Sequence, residues 1–93
     1  MHSPNDQVVI PRRVVTREVD GASVLLDTET GRYFTLDAVG TRIWALLSTT
    51  TSIEGAYDSL LNEFDVDPQT LRNDLDTLVE VLVAEQLLEI RHG

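Results

Sequence analysis

Two kinds of hydrophobic spacing divide the chain. Between residues 13 and 36 apolar side chains come in short runs broken by turn formers, as in strands, and from Ala38 onward they recur at intervals of three and four, as in helices. Residues 13–19 read as a strand, Asp20-Gly21 as a tight turn, and residues 23–27 as the returning strand. Thr28-Glu29-Thr30-Gly31 closes a second hairpin, where Gly31 can take the left-handed conformation that a short loop needs. The third strand, Arg32-Tyr33-Phe34-Thr35-Leu36, is followed at once by the helix-capping residue Asp37. That strand is therefore short, and its outer edge is expected to stay open to another strand.

Asp37 predicts a helix over residues 38–47 with Val39, Ile43, Leu46 and Leu47 on one face and Trp44 on its flank, in a packing role. The run Ser48-Thr49-Thr50-Thr51-Ser52 predicts a loop, and Thr51 with Glu54 makes a capping box for a second helix. That helix carries a broad apolar stripe of Ile53, Ala56, Tyr57, Leu60, Leu61 and Phe64. Asp67 and Pro68 open a third helix, with Val66 set to pack on Leu71 as a hydrophobic staple. Leu71, Leu75, Leu78 and Leu82 form its inward stripe, and Val79, Val81 and Val83 add apolar surface that reads as the wall of a groove. Residues 87–90 read as a short extended end. Residues 1–11 hold one short apolar run stopped by Pro11, which predicts a flexible arm ahead of a single domain over residues 12–91. The expected class is α+β, a three-stranded antiparallel sheet followed by three helices.

With 93 residues the chain has room for one domain and one small core. It has no cysteine, which removes disulfides, thiolate catalysis and cysteine-ligated zinc, and fits a cytoplasmic setting. Neither a signal-peptide pattern nor an apolar run near the ~20 residues of a membrane helix is present, so no membrane partner is expected. The net charge of −9 is uneven: from Ser48 onward ten acidic residues face only Arg72 and Arg91. Such a surface repels phosphate backbones and favours a basic or neutral partner over nucleic acid.

Candidate chemistry is sparse. His2 and His92 sit at opposite ends of the sequence, which suits solvated residues better than a metal site or an acid–base pair. Asp65 and Asp67 flank a helix start, and Asp74, Asp76 and Glu80 suit a solvated helix face. The serines lack an evident base and the glycines are isolated rather than gathered into a phosphate loop. No enzyme, cofactor or metal is expected. In the third strand, alternation sends Tyr33 and Phe34 to opposite faces, one toward a wall for which the third helix is the natural candidate. Asp74 either orients a polar group of a docked segment or faces water, and both readings stay open.

The order and spacing of Gly31-Arg32-Tyr33-Phe34, Leu36-Asp37-Ala38-Val39-Gly40, Ile43-Trp44 and Val66-Asp67-Pro68 with Leu71, Asp74 and Leu78 resemble the PqqD-like family. Its members are leader-recognition domains of ribosomal peptide maturation, and the resemblance spans residues 14–90. It implies a winged helix-turn-helix-like fold that binds an unstructured leader peptide as an added strand on the third strand, against the third helix. Carried onto this sequence, the implied site is Arg32, Tyr33, Phe34, Thr35 and Leu36 on the edge, with Leu71, Asp74, Leu75, Leu78, Val79 and Leu82 on the wall. One departure is Gln86, where relatives commonly carry glycine.

The compact acidic form is most similar to standalone leader-binding proteins of lasso-peptide pathways. That resemblance implies a non-catalytic protein that hands a precursor to a separate transglutaminase-like cysteine peptidase, with a cyclase as a further partner. Delivery to a radical-SAM enzyme is the close alternative. A winged-helix DNA-binding regulator is the alternative from another class, but a third helix carrying Asp74, Asp76, Glu80 and Glu85 with only Arg72 suits it poorly. A structural subunit that docks on a protein partner is a third.

Overall fold

The computed structural model describes residues 6–91. Strands β2 (Val14–Val19), β3 (Ala22–Asp27) and β4 (Tyr33–Leu36) form an antiparallel sheet in the order β2-β3-β4, followed by helices α1 (Ala38–Thr50), α2 (Ile53–Glu63) and α3 (Pro68–Ala84). This is the expected α+β arrangement. Asp20 and Gly21 both have positive φ, 54° and 84°, the backbone that a two-residue hairpin loop requires. His2 and His92, and with them the rest of residues 1–5 and 92–93, lie outside the described residues.

The segment expected as a flexible arm is in part a strand. β1 (Gln7–Val9) pairs antiparallel with β5 (Glu89–Arg91), placing Val8 opposite Ile90, and Val8 N–H donates to Thr51 O at 2.9 Å. Val8 is buried, so the short apolar run before Pro11 is core. A three-residue strand whose partner lies at the other end of the chain leaves no local periodicity to read.

α1 also differs from expectation, continuing through Ser48, Thr49 and Thr50. Their hydroxyls donate back to the carbonyls of Trp44, Ala45 and Leu46 at 2.8, 3.1 and 2.7 Å, so the polar side chains are satisfied inside the helix that they were expected to end. Thr51 ends α1 in the left-handed region, and Ser52, one residue later than expected, caps α2 by accepting from Gly55 N–H. Asp37 and Asp67 cap α1 and α3 as expected, accepting from Gly40 and Thr70 N–H.

The core lies between the inner face of the sheet and the three helices. Leu25, Leu47, Ile53, Leu60, Leu75, Val79 and Leu82 are fully buried at its centre. Trp44 is buried as expected, and its indole N–H donates to Thr16 Oγ1 at 2.9 Å, which pins α1 to β2. Burial alone would push the Asp27 carboxyl up, but N–H donors of Glu29 and Thr30 together with the Arg13 guanidinium hold it below its usual value. Arg13 also donates to Gln86 O at 2.7 Å, so one side chain ties the end of β3 to the end of α3.

α3 ends in a Schellman motif. Leu87 N–H donates to Leu82 O, Gln86 N–H donates to Val83 O, and Gln86 takes φ 63°. A left-handed residue other than glycine is strained, and the Arg13 bond uses only the backbone of Gln86. Gln86→Gly is therefore expected to raise stability by about 0.5–1 kcal/mol, read as a higher urea midpoint at unchanged slope.

Candidate functional site

The site is built on β4 and the helix that leaves it. Asp27 N–H donates to Arg32 O, which makes that pair a hydrogen-bonded position of the β3–β4 ladder. Counting along the register, Phe34 and Leu36 bond to β3 at the next such positions, while Tyr33 and Thr35 turn their N–H and C=O groups to the open edge. The side chains alternate in the complementary sense. Phe34 is half-buried against the core and Leu36 buried, whereas Tyr33 is 72% exposed and Thr35 exposed on the other face.

Beside this edge runs a groove floored by Phe34 and Leu36, walled on one side by Val39, Gly40 and Ile43 of α1 and on the other by Asp74 and Leu78 of α3. Past Val39, Ile43 and Asp74 it opens into an apolar recess of about 190 Å³ among Leu60, Phe64, Val66, Thr70 and Leu71. A Cβ on Gly40 would lie 3.2 Å from the Leu36 side chain, so glycine lets α1 begin close against β4. At the other end Arg32 Nη2 meets Glu85 Oε2 at 2.9 Å, joining the approach to β4 with the end of α3. Both partners of that pair are well exposed, which limits its worth to at most about 1 kcal/mol.

Of the expected site residues, the structure brings Phe34, Thr35, Leu36, Leu71, Asp74 and Leu78 to the groove or its recess, with Tyr33 and Arg32 beside it. Leu75, Val79 and Leu82 are placed differently. Each is 0% exposed, so they hold α3 in the core and offer no surface to a ligand. Leu78, expected on the inward stripe, is half-buried on the groove side, and Val81 and Val83 are exposed without lining the groove or its recess. Val39, on the apolar face it shares with Ile43, Leu46 and Leu47, is 52% exposed. The α1 wall of Val39, Gly40 and Ile43 was missed, although Val39 stands one turn from Ile43 on the same face.

The Asp74 side chain is exposed and makes no hydrogen bond or ion pair among the described residues, which leaves its carboxylate available at the junction of groove and recess. Arg72 on the same helix is committed elsewhere. Its Nη2 lies 2.8 Å from Glu54 Oε2 and its guanidinium 3.9 Å over the Tyr57 ring, and the Glu54 hydrogen bond raises its pKa further. Among the described residues no group of three or more His, Cys, Asp and Glu is placed to hold a metal ion, and no helix is long and apolar enough to cross a membrane. An open strand edge beside an apolar groove can take up an extended peptide, with main-chain bonds along the edge and side chains in the groove.

Solved structures share this architecture. The chain is similar to TbiB1, solved in complex with the TbiA(beta) leader peptide, at 41% identity and TM-score 0.80 over 86% of this chain and 93% of that one. It shares its fold with a lasso peptide synthetase B1 complexed with the leader peptide, at 22% identity and TM-score 0.79 over 89% and 98% of the two chains. No curated protein gives a significant match. The model of coenzyme PQQ synthesis protein D (PqqD) matches residues 22–88, from the start of β3 through all three helices, and the chain belongs to the PqqD family.

Proposed function

We propose that this protein is a non-catalytic recognition element that binds the leader of a ribosomally made precursor, of the lasso-peptide kind, and presents it to a separate transglutaminase-like leader peptidase. The leader adds as a strand to the Tyr33–Leu36 edge, and its inward side chains enter the groove between α1 and α3. The observation that carries this reading is the open β4 edge beside an apolar groove, in a chain 41% identical to a protein solved with a leader peptide. Each main-chain bond to the edge is worth only about 0.5–1.5 kcal/mol net, so apolar anchors in the groove and recess supply the rest of the affinity. Asp74 favours a leader that offers a donor or a cation where groove and recess meet.

Delivery of a precursor to a radical-SAM enzyme uses the same groove and differs only in the enzyme served. DNA binding is disfavoured because Arg72, the only cation of α3, is engaged by Glu54 and Tyr57 and leaves that helix an acidic surface.

The test is fluorescence-polarisation binding of a labelled leader from the precursor gene beside that of this chain. Leu78 is half-buried and lines the groove, so Leu78→Ala is expected to preserve the fold and weaken leader binding by about 5- to 30-fold, or ~1–2 kcal/mol. Absence of binding by wild-type protein to that leader would overturn the reading.

A further inference from the structure

A peptide docked in the groove takes water from the groups that line it, and one of those groups has no partner among the described residues. Val39, Ile43 and Asp74 line both the groove and the recess, and Asp74 is the one charged residue lining the recess. The other carboxylate of the groove, Asp37, already accepts from Gly40 N–H at 2.8 Å. None of the arginines serves Asp74. Arg13, Arg32, Arg42 and Arg72 are paired with Asp27, Glu85, Glu63 and Glu54, and Arg12, Arg17 and Arg91 line neither the groove nor its recess.

We propose that Asp74 selects leaders with a lysine or arginine at the strand position that faces it, the apolar stem lying on Val39 and Ile43 and the charged head on the carboxylate. The identity of the ligand rests on the leader-recognition reading above. An apolar leader residue at that position would leave the covered carboxylate unpaired, and an acidic one would set a like charge against it. A short neutral donor bonds the carboxylate but leaves the Val39 and Ile43 wall uncovered, whereas lysine and arginine bring a methylene stem and a cation together. The surrounding charge favours the same choice, since ten acidic residues face only two arginines from Ser48 onward.

The layout of the groove fixes where the cation falls. Arg32 meets Glu85, Phe34 lies beside that same end of α3 and also floors the groove, and Leu36 floors the groove alone. Passing along β4 from Arg32 to Leu36 therefore follows α3 backward from Glu85 through Leu78 to Asp74. Leu78 and Asp74 stand one turn apart, about 6 Å, and alternate residues of a strand about 7 Å, so two successive inward residues of the leader meet them in turn. The first, opposite Phe34, is apolar against Leu78. The second, two positions away and opposite Leu36, is the cation.

The test is polarisation binding of the full chain to the labelled leader of the neighbouring precursor, repeated with each lysine and arginine of that leader changed in turn to glutamine and to glutamate. The protein variants are Asp74→Asn and Asp74→Lys, both at an exposed position and both checked by circular dichroism and urea midpoint. Asp74→Asn, and glutamine at one leader cation, are each expected to weaken binding about 5- to 20-fold, and the two together no more than either alone. Asp74→Lys is expected to prefer the leader with glutamate at that position over the unaltered leader by at least about fivefold. Binding by Asp74→Asn within about twofold of wild type overturns the proposal. A loss in Asp74→Asn that simply adds to the loss at every leader cation also overturns it, since the partner is then a neutral donor, as does tight binding of a leader that has neither lysine nor arginine. Failure of the wild-type chain to bind the leader at all overturns the leader-recognition reading and this proposal with it, whereas binding indifferent to Asp74 overturns this proposal alone.

Discussion

Thr35→Pro is expected to lower leader affinity at least about tenfold, or ~1.4 kcal/mol, while leaving the protein folded. The Thr35 N–H points to the open edge, so proline there removes a donor offered to the added strand and no bond of the β3–β4 ladder. Phe34 precedes it in extended backbone, the conformation that a following proline favours. Phe34→Pro is the informative contrast. Phe34 N–H bonds into the ladder opposite Leu25, so that substitution is expected to destabilise the sheet itself. Polarisation binding with circular dichroism on both variants separates the outcomes. Full affinity in a folded Thr35→Pro protein would show that the peptide does not pair with this edge.

Leu75→Ala is expected to cost about 2–5 kcal/mol of stability, a large share of what a small domain possesses. The side chain is fully buried at the centre of the core, and its removal leaves a cavity that its neighbours fill only in part. The urea midpoint should fall accordingly, while leader affinity, measured where the variant remains folded, should stay within about twofold. A large loss of affinity at unchanged midpoint would instead make Leu75 a direct contact.

The contrast between Leu75 and Leu78 shows how far the site was legible in the sequence. That α3 walls the groove followed from the resemblance, whereas the surplus valines read as a wall, Val79, Val81 and Val83, line neither the groove nor its recess. Which residues face the groove depends on how the helix is rotated against the sheet and α2, and a stripe of leucines and valines does not encode that rotation. Leu71, Leu75, Val79 and Leu82 turned to the core, leaving Asp74 and Leu78 on the groove flank. The α1 wall escaped for a related reason: an apolar helix face predicts burial, and Val39 lies at its end, where α1 overhangs the groove and the core has stopped.

The fold was more readable where local chemistry decides it. The Asp20-Gly21 turn and the Asp37 and Asp67 caps each depend on a few adjacent residues, and all lie where the sequence placed them. The end of α1 and the pairing of β1 with β5 depend on something else. Ser48, Thr49 and Thr50 are helical because their hydroxyls return to carbonyls one turn back, and Gln7–Val9 is a strand because Glu89–Arg91 lies beside it.

That last pairing sets the mechanical layout of the domain. Gln7 and Arg91 lie side by side next to Ser52, beyond the final turn of α1, while Val39 and Gly40 of the groove belong to its first turn. A helix of 13 residues spans about 20 Å, so the backbone enters and leaves near one point, a helix length from the groove's α1 wall. The domain can therefore hang from a neighbouring polypeptide by a single stem, attached through either strand of the ribbon, with its groove held clear of the attachment.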